Sequence, residues 1–358
     1  MKILLIAPIA PPFGGLATWT DEFVKATQGK AEVDCVNTNY PGKNPIETGR
    51  RSVTGELARA FGIWKAVWKK CKNTEYDVVH LNTPCSLFGN LRDGVTMLLV
   101  GLRRASKVNV LHCHCNLCDF VGDDKKRLWV FKAFLRRFDC VFVLNRQSLD
   151  YMKKISDAKA VYMPNFIGAS EGGEKIYRPS DGGLRVLFSG RQTLLKGIDI
   201  FIRVAQTAKK NNDALTFQVI GNTSANMERF DELPDNLKIF GQLAHDEAMK
   251  MLRDADVLLF PSRTEGFPLA VLEAMMLGTP VISSDVGAVS QMLSGTGSIV
   301  LDSFDPADYY EALKKYLPTE VRQDIGARGK ERYRKYFTPA SVCDSILQEY
   351  EHLLNNVK

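Results

Sequence analysis

Glu265-Gly266-Phe267-Pro268-Leu269-Ala270-Val271-Leu272-Glu273 lies between two apolar runs of different kinds. Residues 257–260, closed by Pro261-Ser262, have the length and composition of a buried strand, and the run ending at Gly278-Thr279-Pro280 predicts a helix. Two carboxylates eight positions apart therefore flank the point where a strand turns into a helix. In an open α/β sheet that turn lies beyond the carboxyl end of a strand, where ligands bind. The free N–H groups of Leu269 and Ala270 would begin the helix and attract an anion such as a phosphate. One carboxylate in the loop and one in the helix can accept hydrogen bonds from hydroxyls on either side of that phosphate. A sugar nucleotide is a ligand of this description.

Outward from this stretch, strand-like runs alternate with helical patterns along the chain. One set falls at 3–7, 33–37, 78–81, 108–112, 141–144 and 161–163; a second falls at 185–189, 216–220, 237–240, 257–260, 281–283 and 298–301. Strands alternating with helices imply βαβ units and parallel sheets. Between the sets, Gly168 to Gly183 is rich in Gly, Ser, Glu and Pro and breaks the periodicity. The expected organisation is α/β. A Rossmann-like domain over 1–166 is followed by a linker at 167–183 and a second Rossmann-like domain over 184–335. A last helical segment spans 336–358, with Val342, Ile346, Tyr350 and Leu353 on one face.

The chain has 358 residues, 45% hydrophobic and 25% charged, an ordinary globular composition that sets disorder aside. No apolar run reaches the roughly 18–20 residues that span a bilayer, and the N-terminal Met1 to Pro8 reads as a buried first strand, not a leader. Eight cysteines are scattered through apolar segments, which fits a reducing cytoplasm. Cys113, Cys115 and Cys118 beside His112 and His114 lack the second separated pair of a structural zinc site, so no metal is expected. Residues 1–166 carry 25 Lys+Arg against 15 Asp+Glu, and the remainder 22 against 26. The basic half points to an anionic partner. Between Glu56 and Lys72, Leu57, Phe61, Trp64 and Trp68 recur at helical spacing among five cations, a pattern that suits either a core-packed amphipathic helix with a solvated basic face or a membrane interface. Nothing resembles a nucleic-acid-binding motif.

Other segments share the strand-to-helix setting. Gly14-Gly15 follows the first strand and suits a structural turn, or a backbone that a ligand can approach. In Ser189-Gly190-Arg191-Gln192-Thr193-Leu194-Leu195-Lys196-Gly197, Arg191 and Lys196 could converge on a pyrophosphate. His80, His112 and His114 fall at the carboxyl ends of first-domain strands, with His112 and His114 on one strand face. Asp254-Ala255-Asp256 reads as a helix cap and solvated charge.

Together these residues resemble the retaining glycosyltransferases of family 4, whose GT-B fold has two Rossmann-like β/α/β domains facing each other across a cleft. The resemblance covers essentially the whole chain. Its most specific part is Glu265 to Glu273, which looks like that family's Glu-x7-Glu motif. Pro261-Ser262, Glu273-Ala274-Met275, Gly278-Thr279-Pro280-Val281, Pro164-Asn165, Gly190-Arg191, Lys196-Gly197 and Gly14-Gly15 also fit. Pro164-Asn165 continues with Phe166, where family members commonly have glycine. The resemblance implies that Glu273 binds the nucleotide ribose, and that Arg191, Lys196, Gly15 and the Leu269 and Ala270 amides hold the pyrophosphate. Glu265 would hydrogen-bond the donor sugar, the base would rest near Gly221 and Gly241, and His114, or its neighbour His112, would approach the sugar from the first domain. It further implies a C-terminal helix that crosses back to the first domain.

The expected activity is transfer of a hexose or N-acetylhexosamine from a nucleotide-sugar donor, UDP-linked before GDP-mannose, with retention. The nucleotide-sugar is a co-substrate, so no cofactor and no metal are expected. The acceptor would be a glycan or lipid-linked oligosaccharide of surface polysaccharide (lipopolysaccharide or capsule) biosynthesis. The enzyme would lie in the cytoplasm, peripheral on an anionic membrane surface at the inner face of the cell membrane, without nucleic acid. A sugar-nucleotide epimerase on a GT-B-like scaffold and a non-catalytic sugar-nucleotide-binding subunit are the alternatives.

Overall fold

The computed structural model describes residues 1–11, 15–39, 53–169, 173–179, 183–222 and 233–356. It divides into two compact units, Met1–Ile167 with Pro339–Lys358, and Gly168–Thr338.

The first unit holds β1 (Lys2–Ala7), β2 (Glu32–Asn37), β3 (Tyr76–Thr83), β4 (Ser106–Cys113), β5 (Cys140–Val143) and β6 (Ala160–Tyr162). They form one parallel sheet in the order β2-β1-β3-β4-β5-β6. The intervening helices are α1 (Gly15–Ala26), α2 (Val53–Lys70), α3 (Leu87–Leu102), α4 (Leu117–Phe120), α5 (Lys125–Leu135) and α6 (Arg146–Ile155). The second unit holds β7 (Leu184–Ser189), β8 (Leu215–Ile220), β9 (Leu237–Gly241), β10 (Val257–Phe260), β11 (Val281–Ser284) and β12 (Ile299–Leu301). Its parallel order is β12-β11-β10-β7-β8-β9. Its helices are α7 (Ile198–Lys210), α8 (His245–Asp254), α9 (Leu269–Leu277), α10 (Val289–Leu293), α11 (Pro306–Lys314) and α12 (Thr319–Tyr336).

All twelve strands fall on the apolar runs read from the sequence. Residues such as Leu4, Val110, Phe142, Val186 and Leu258 are fully buried, as a parallel sheet covered on both faces by helices requires. Local signals set the ends of several helices. Ser86, Asp124 and Asn145 accept from backbone N–H groups at the starts of α3, α5 and α6, and Gly278, at φ +79°, closes α9 before Thr279-Pro280.

A final helix, α13 (Pro339–Asn355), completes the first unit. Val342, Cys343, Ile346, Tyr350 and Leu353 pack with Ile3, Leu5, Trp19, Phe23 and Phe142 in one core, so the chain returns after residue 338 to finish the domain it left at 167.

Two local expectations need correction. The described part of the segment read as a linker is anchored to the second unit. Lys175 is 7% exposed, and its three ammonium protons meet the Arg253 and Ala255 carbonyls and the Thr279 hydroxyl. Asp256 is not a solvated charge: it is buried, pairs with Arg178 at 2.7 Å and accepts the Arg185 N–H at 2.8 Å. Burying an aspartate requires such partners, and these came from positions more than 70 residues away.

Candidate active site

In each sheet the strand order reverses direction once, between β1 and β3 in the first unit and between β7 and β10 in the second. Crevices at the carboxyl ends of such strands are where open α/β sheets take ligands. The glutamate stretch lies at the second of these points, since Glu265 follows β10 and Lys196 follows β7.

Lys196 ends a single 3-10 turn, Leu194–Lys196, and its Nζ lies 2.5 Å from Glu265 Oε1. Both side chains are largely buried, at 23% and 10% exposed. The strands' loops are joined around this pair. Arg263 grips Asp199 through two guanidinium hydrogen bonds of 2.8 and 2.7 Å. The Arg263 N–H and Ser262 hydroxyl both donate to the Leu195 carbonyl, and the Ser284 hydroxyl donates to the Ser262 carbonyl. Gly197 adopts φ +76°, and a Cβ there would stand 2.0 Å from the Pro261 carbonyl oxygen. Only glycine permits so close an approach in that conformation.

Helix α9 starts at Leu269, so the Leu269 and Ala270 N–H groups have no intrahelical acceptor. Four residues on, Glu273 is half-buried and has no hydrogen-bond partner among the described residues. Burial pushes its carboxyl up to about 7. An uncompensated carboxyl beside a helix start is suited to accepting hydroxyl hydrogen bonds from a ligand, whose donors would restore its ionised form. At the ends of β8 and β9, the Gly221 N–H donates to the Gly241 carbonyl at 2.7 Å. Gln192 bonds Gly221 and Asn222, so the Gly190, Gly221 and Gly241 turns form one connected rim. Arg191 is exposed, without an ion pair among the described residues.

The first unit is built differently at its carboxyl ends. His112 and His114 stack at 4.1 Å between ring centroids, and Trp19 of α1 contacts both and also His80. His80 Nε2 bonds the Asn82 side-chain oxygen at 2.9 Å, so Nε2 carries the proton. Its Nδ1 then accepts the Tyr350 hydroxyl proton. Both ring nitrogens of His112, Nε2 of His114, the Trp19 N–H and the Asn82 amide nitrogen are buried with no hydrogen-bond partner among the described residues. Desolvation pulls the His80 and His114 rings down to about 3 and His112 well below its ordinary range, so all three are neutral at physiological pH. His80 is engaged by Tyr350, which leaves His112 and His114 as the pair with free nitrogens. Gly15 opens α1, and Gly14 lies outside the described residues. Among the described residues no group of three His, Cys, Asp or Glu side chains is disposed to hold a metal ion.

Arg263–Asp199 and Trp19 carry no local signal in the sequence, because their contacts in the site are with residues distant in the chain.

These features define the GT-B class of fold, two Rossmann-like β/α/β units of six parallel strands each. Residues 174–332 match the family model of glycosyl transferases group 1. A D-inositol 3-phosphate glycosyltransferase from Paenarthrobacter aurescens (strain TC1) is 31% identical over 177 residues, 46% of this chain and 43% of that protein. The chain thus spans less than half the length of that curated relative. An uncharacterized 41.2 kDa protein in the cps region of Klebsiella pneumoniae is 23% identical over 82% of this chain and 84% of its own length. The fold is similar to sucrose-phosphate synthase from Thermosynechococcus elongatus, with a TM-score of 0.76, 20% identity and coverage of 99% of each chain. It is also similar to Anabaena HepE in complex with UDP and glucose, with a TM-score of 0.74, 15% identity and coverage of 98% and 100%.

Proposed function

We propose that the chain is a retaining, metal-independent glycosyltransferase of family 4. It moves a hexose or N-acetylhexosamine from a nucleotide-sugar, UDP-linked before GDP-linked, to a hydroxyl of a glycan acceptor. The observation that carries this reading is the Lys196–Glu265 ion pair beside the start of α9, with unpartnered Glu273 one turn further on. The fold neighbour bound to UDP and glucose and the inositol-phosphate glycosyltransferase relative support it.

The chemistry asked of these residues is specific. The bond between the anomeric carbon and the β-phosphate oxygen breaks, and its electron pair leaves with the oxygen. The acceptor oxygen bonds to that carbon on the same face and passes its proton to the departing phosphate. Negative charge grows on the diphosphate and positive charge on the sugar ring. Lys196, Arg191 and the Leu269 and Ala270 amides, fixed in advance, stabilise the former. Gly15 admits the diphosphate to the backbone. Glu265 orients Lys196 and accepts hydroxyls of the donor sugar; Glu273 accepts the ribose hydroxyls. Gly221 and Gly241 leave room for the base. His114, neutral and with a free Nε2, is assigned a hydrogen bond to the sugar. The acceptor is proposed to be a lipid-linked oligosaccharide of surface polysaccharide synthesis, met at the anionic inner face of the cell membrane from the cytoplasm. No helix among the described residues is long and apolar enough to cross a membrane.

Thermal unfolding with millimolar UDP-, GDP- and ADP-sugars tests the donor, because stabilisation follows ligand concentration over Kd. A UDP-sugar is expected to raise Tm most, and transfer is expected to persist in excess chelator. Stabilisation by no nucleotide-sugar overturns the donor reading. Release of a new free sugar without acceptor would favour an epimerase instead.

A further inference from the structure

Helix α3 is built inside out. Its buried face carries Asn90, Asp93 and Thr96 along with Met97 and Val100. Asp93 is 1% exposed, paired with Arg92. Its outer face presents Phe88, Leu91, Leu98 and Leu102, 82%, 52%, 41% and 73% exposed, with half-buried Val95 between them. The spacing of three and four residues places these five side chains along one stripe. A water-facing helix carries the opposite arrangement, polar outward and apolar inward.

The neighbouring helices extend the pattern. Trp64 of α2 donates to the Arg92 carbonyl of α3 at 3.2 Å, and Gly94 of α3 faces Phe134 of α5, so α3 runs between the two. From α2, Leu57, Phe61 and Trp68 are exposed at 53%, 65% and 41%; from α5, Trp129 is exposed at 72%. Cations surround these groups. Residues 53–72, 87–104 and 125–137 carry 14 Lys and Arg but only two acids, Glu56 and Asp93. Both acids are paired, with Arg59 and Arg92. The Arg103 guanidinium lies 3.4 Å above the Trp68 ring, at the edge of the apolar face.

We infer that the α3 stripe, with Phe61 and Trp129 beside it, inserts into the interfacial layer of an anionic lipid bilayer while the surrounding lysines and arginines bind its headgroups. An exposed apolar patch of this kind marks an interaction surface. The unbalanced cations of its rim select an anionic, laterally extended partner. Interfacial aromatics with a basic rim are the chemistry of membrane-surface attachment. The inference rests on the membrane-surface part of the proposed function and moves its centre from the basic helix α2 to the uncharged stripe of α3.

The test uses the full chain with vesicles of phosphatidylcholine alone or with 30% phosphatidylglycerol, against the triple variant Phe88→Ser/Leu91→Ser/Leu98→Ser. All three positions are exposed, so an unchanged Tm is expected. Wild type is expected to co-sediment with anionic vesicles and to retain part of that binding in 0.5 M salt. The triple variant should partition at least tenfold more weakly and lose all of its salt-resistant fraction. Brominated lipids should quench wild-type fluorescence, and Trp129→Phe together with Trp68→Phe should remove most of that quenching, whereas buried Trp19 contributes none. Binding by the variant within twofold of wild type overturns the inserted stripe but leaves a purely electrostatic membrane reading standing. Absence of vesicle binding by wild type overturns both. A wild-type dimer that the triple variant converts to monomer, without lipid binding, overturns the inference in favour of a second copy as occupant.

Discussion

The two units share a fold and use opposite electrostatics at equivalent places. At the carboxyl ends of its strands the second unit holds ion pairs, Lys196–Glu265 and Arg263–Asp199, and a carboxyl, Glu273, without a partner among the described residues. The first unit holds neutral imidazoles among aromatic rings, with donors and acceptors buried and unpaired. A charged leaving group belongs with the first kind of surface and an uncharged sugar hydroxyl with the second. A six-stranded parallel sheet does not by itself decide what its crevice binds; the few side chains at the strand ends do.

The largest effect should follow from disturbing the close backbone approach that supports the ionic site. Gly197→Ala places a Cβ against the Pro261 carbonyl at positive φ, and should cost roughly 3 kcal/mol or more. Urea unfolding should show the loss in the second unit; a change below 1 kcal/mol would mean that these loops are not fused as described.

Acid should then separate the units by sign. The Glu273 carboxyl sits at about 7 in the folded state against an ordinary 4.5. The folded second unit therefore holds a proton that the unfolded chain has released, and its stability falls as pH rises from 4.5 to 7, by up to about 3 kcal/mol. Glu273→Gln should abolish that slope. His80 and His114 behave in reverse, with folded values of about 3 against an ordinary 6.5. Their stability is present above 6.5 and is lost as pH falls toward 3, about 2 kcal/mol for each ring by pH 5. Hydrogen exchange at pH 5 and 7, read on β3–β4 and on β10–α9, distinguishes the two slopes, and parallel slopes would dissolve the contrast.

A change at the chemistry comes next. Lys196→Ala should lower transfer at least about tenfold, about 1.4 kcal/mol in the barrier. It should also free Glu265, so donor-sugar affinity should change with it. Unchanged turnover would remove Lys196 from the phosphate. The smallest effect should come from Tyr350→Phe, which leaves His80 Nδ1 buried without its donor, at about 1 kcal/mol. Its unfolding midpoint should drop with turnover nearly unchanged.

Much of this was legible beforehand. Parallel strands buried on both faces show as short apolar runs, and caps and glycine stops mark the helices between them. The position of the glutamate stretch and Lys196 at strand-to-helix turns was visible because apolar runs mark the strands and helices on either side. That Lys196 and Glu265 pair with each other was not, since 69 residues separate them. Asp256 looked solvated because its partners, Arg178 and the Arg185 N–H, lie in another part of the chain. The face of α3 escaped notice for a different reason. Apolar periodicity reports that a stripe exists, and only packing shows whether it points inward.

The return of α13 to the first unit bears on how the protein is made. Residues 168–338 leave the ribosome before 339–355, so the second unit can finish folding while the first still lacks a wall of its core. During that interval Ile3, Leu5, Phe23 and Phe142 have no Ile346 or Tyr350 to cover them. Until the last helix is made, that apolar surface of the first unit stays open, a natural point for chaperone capture.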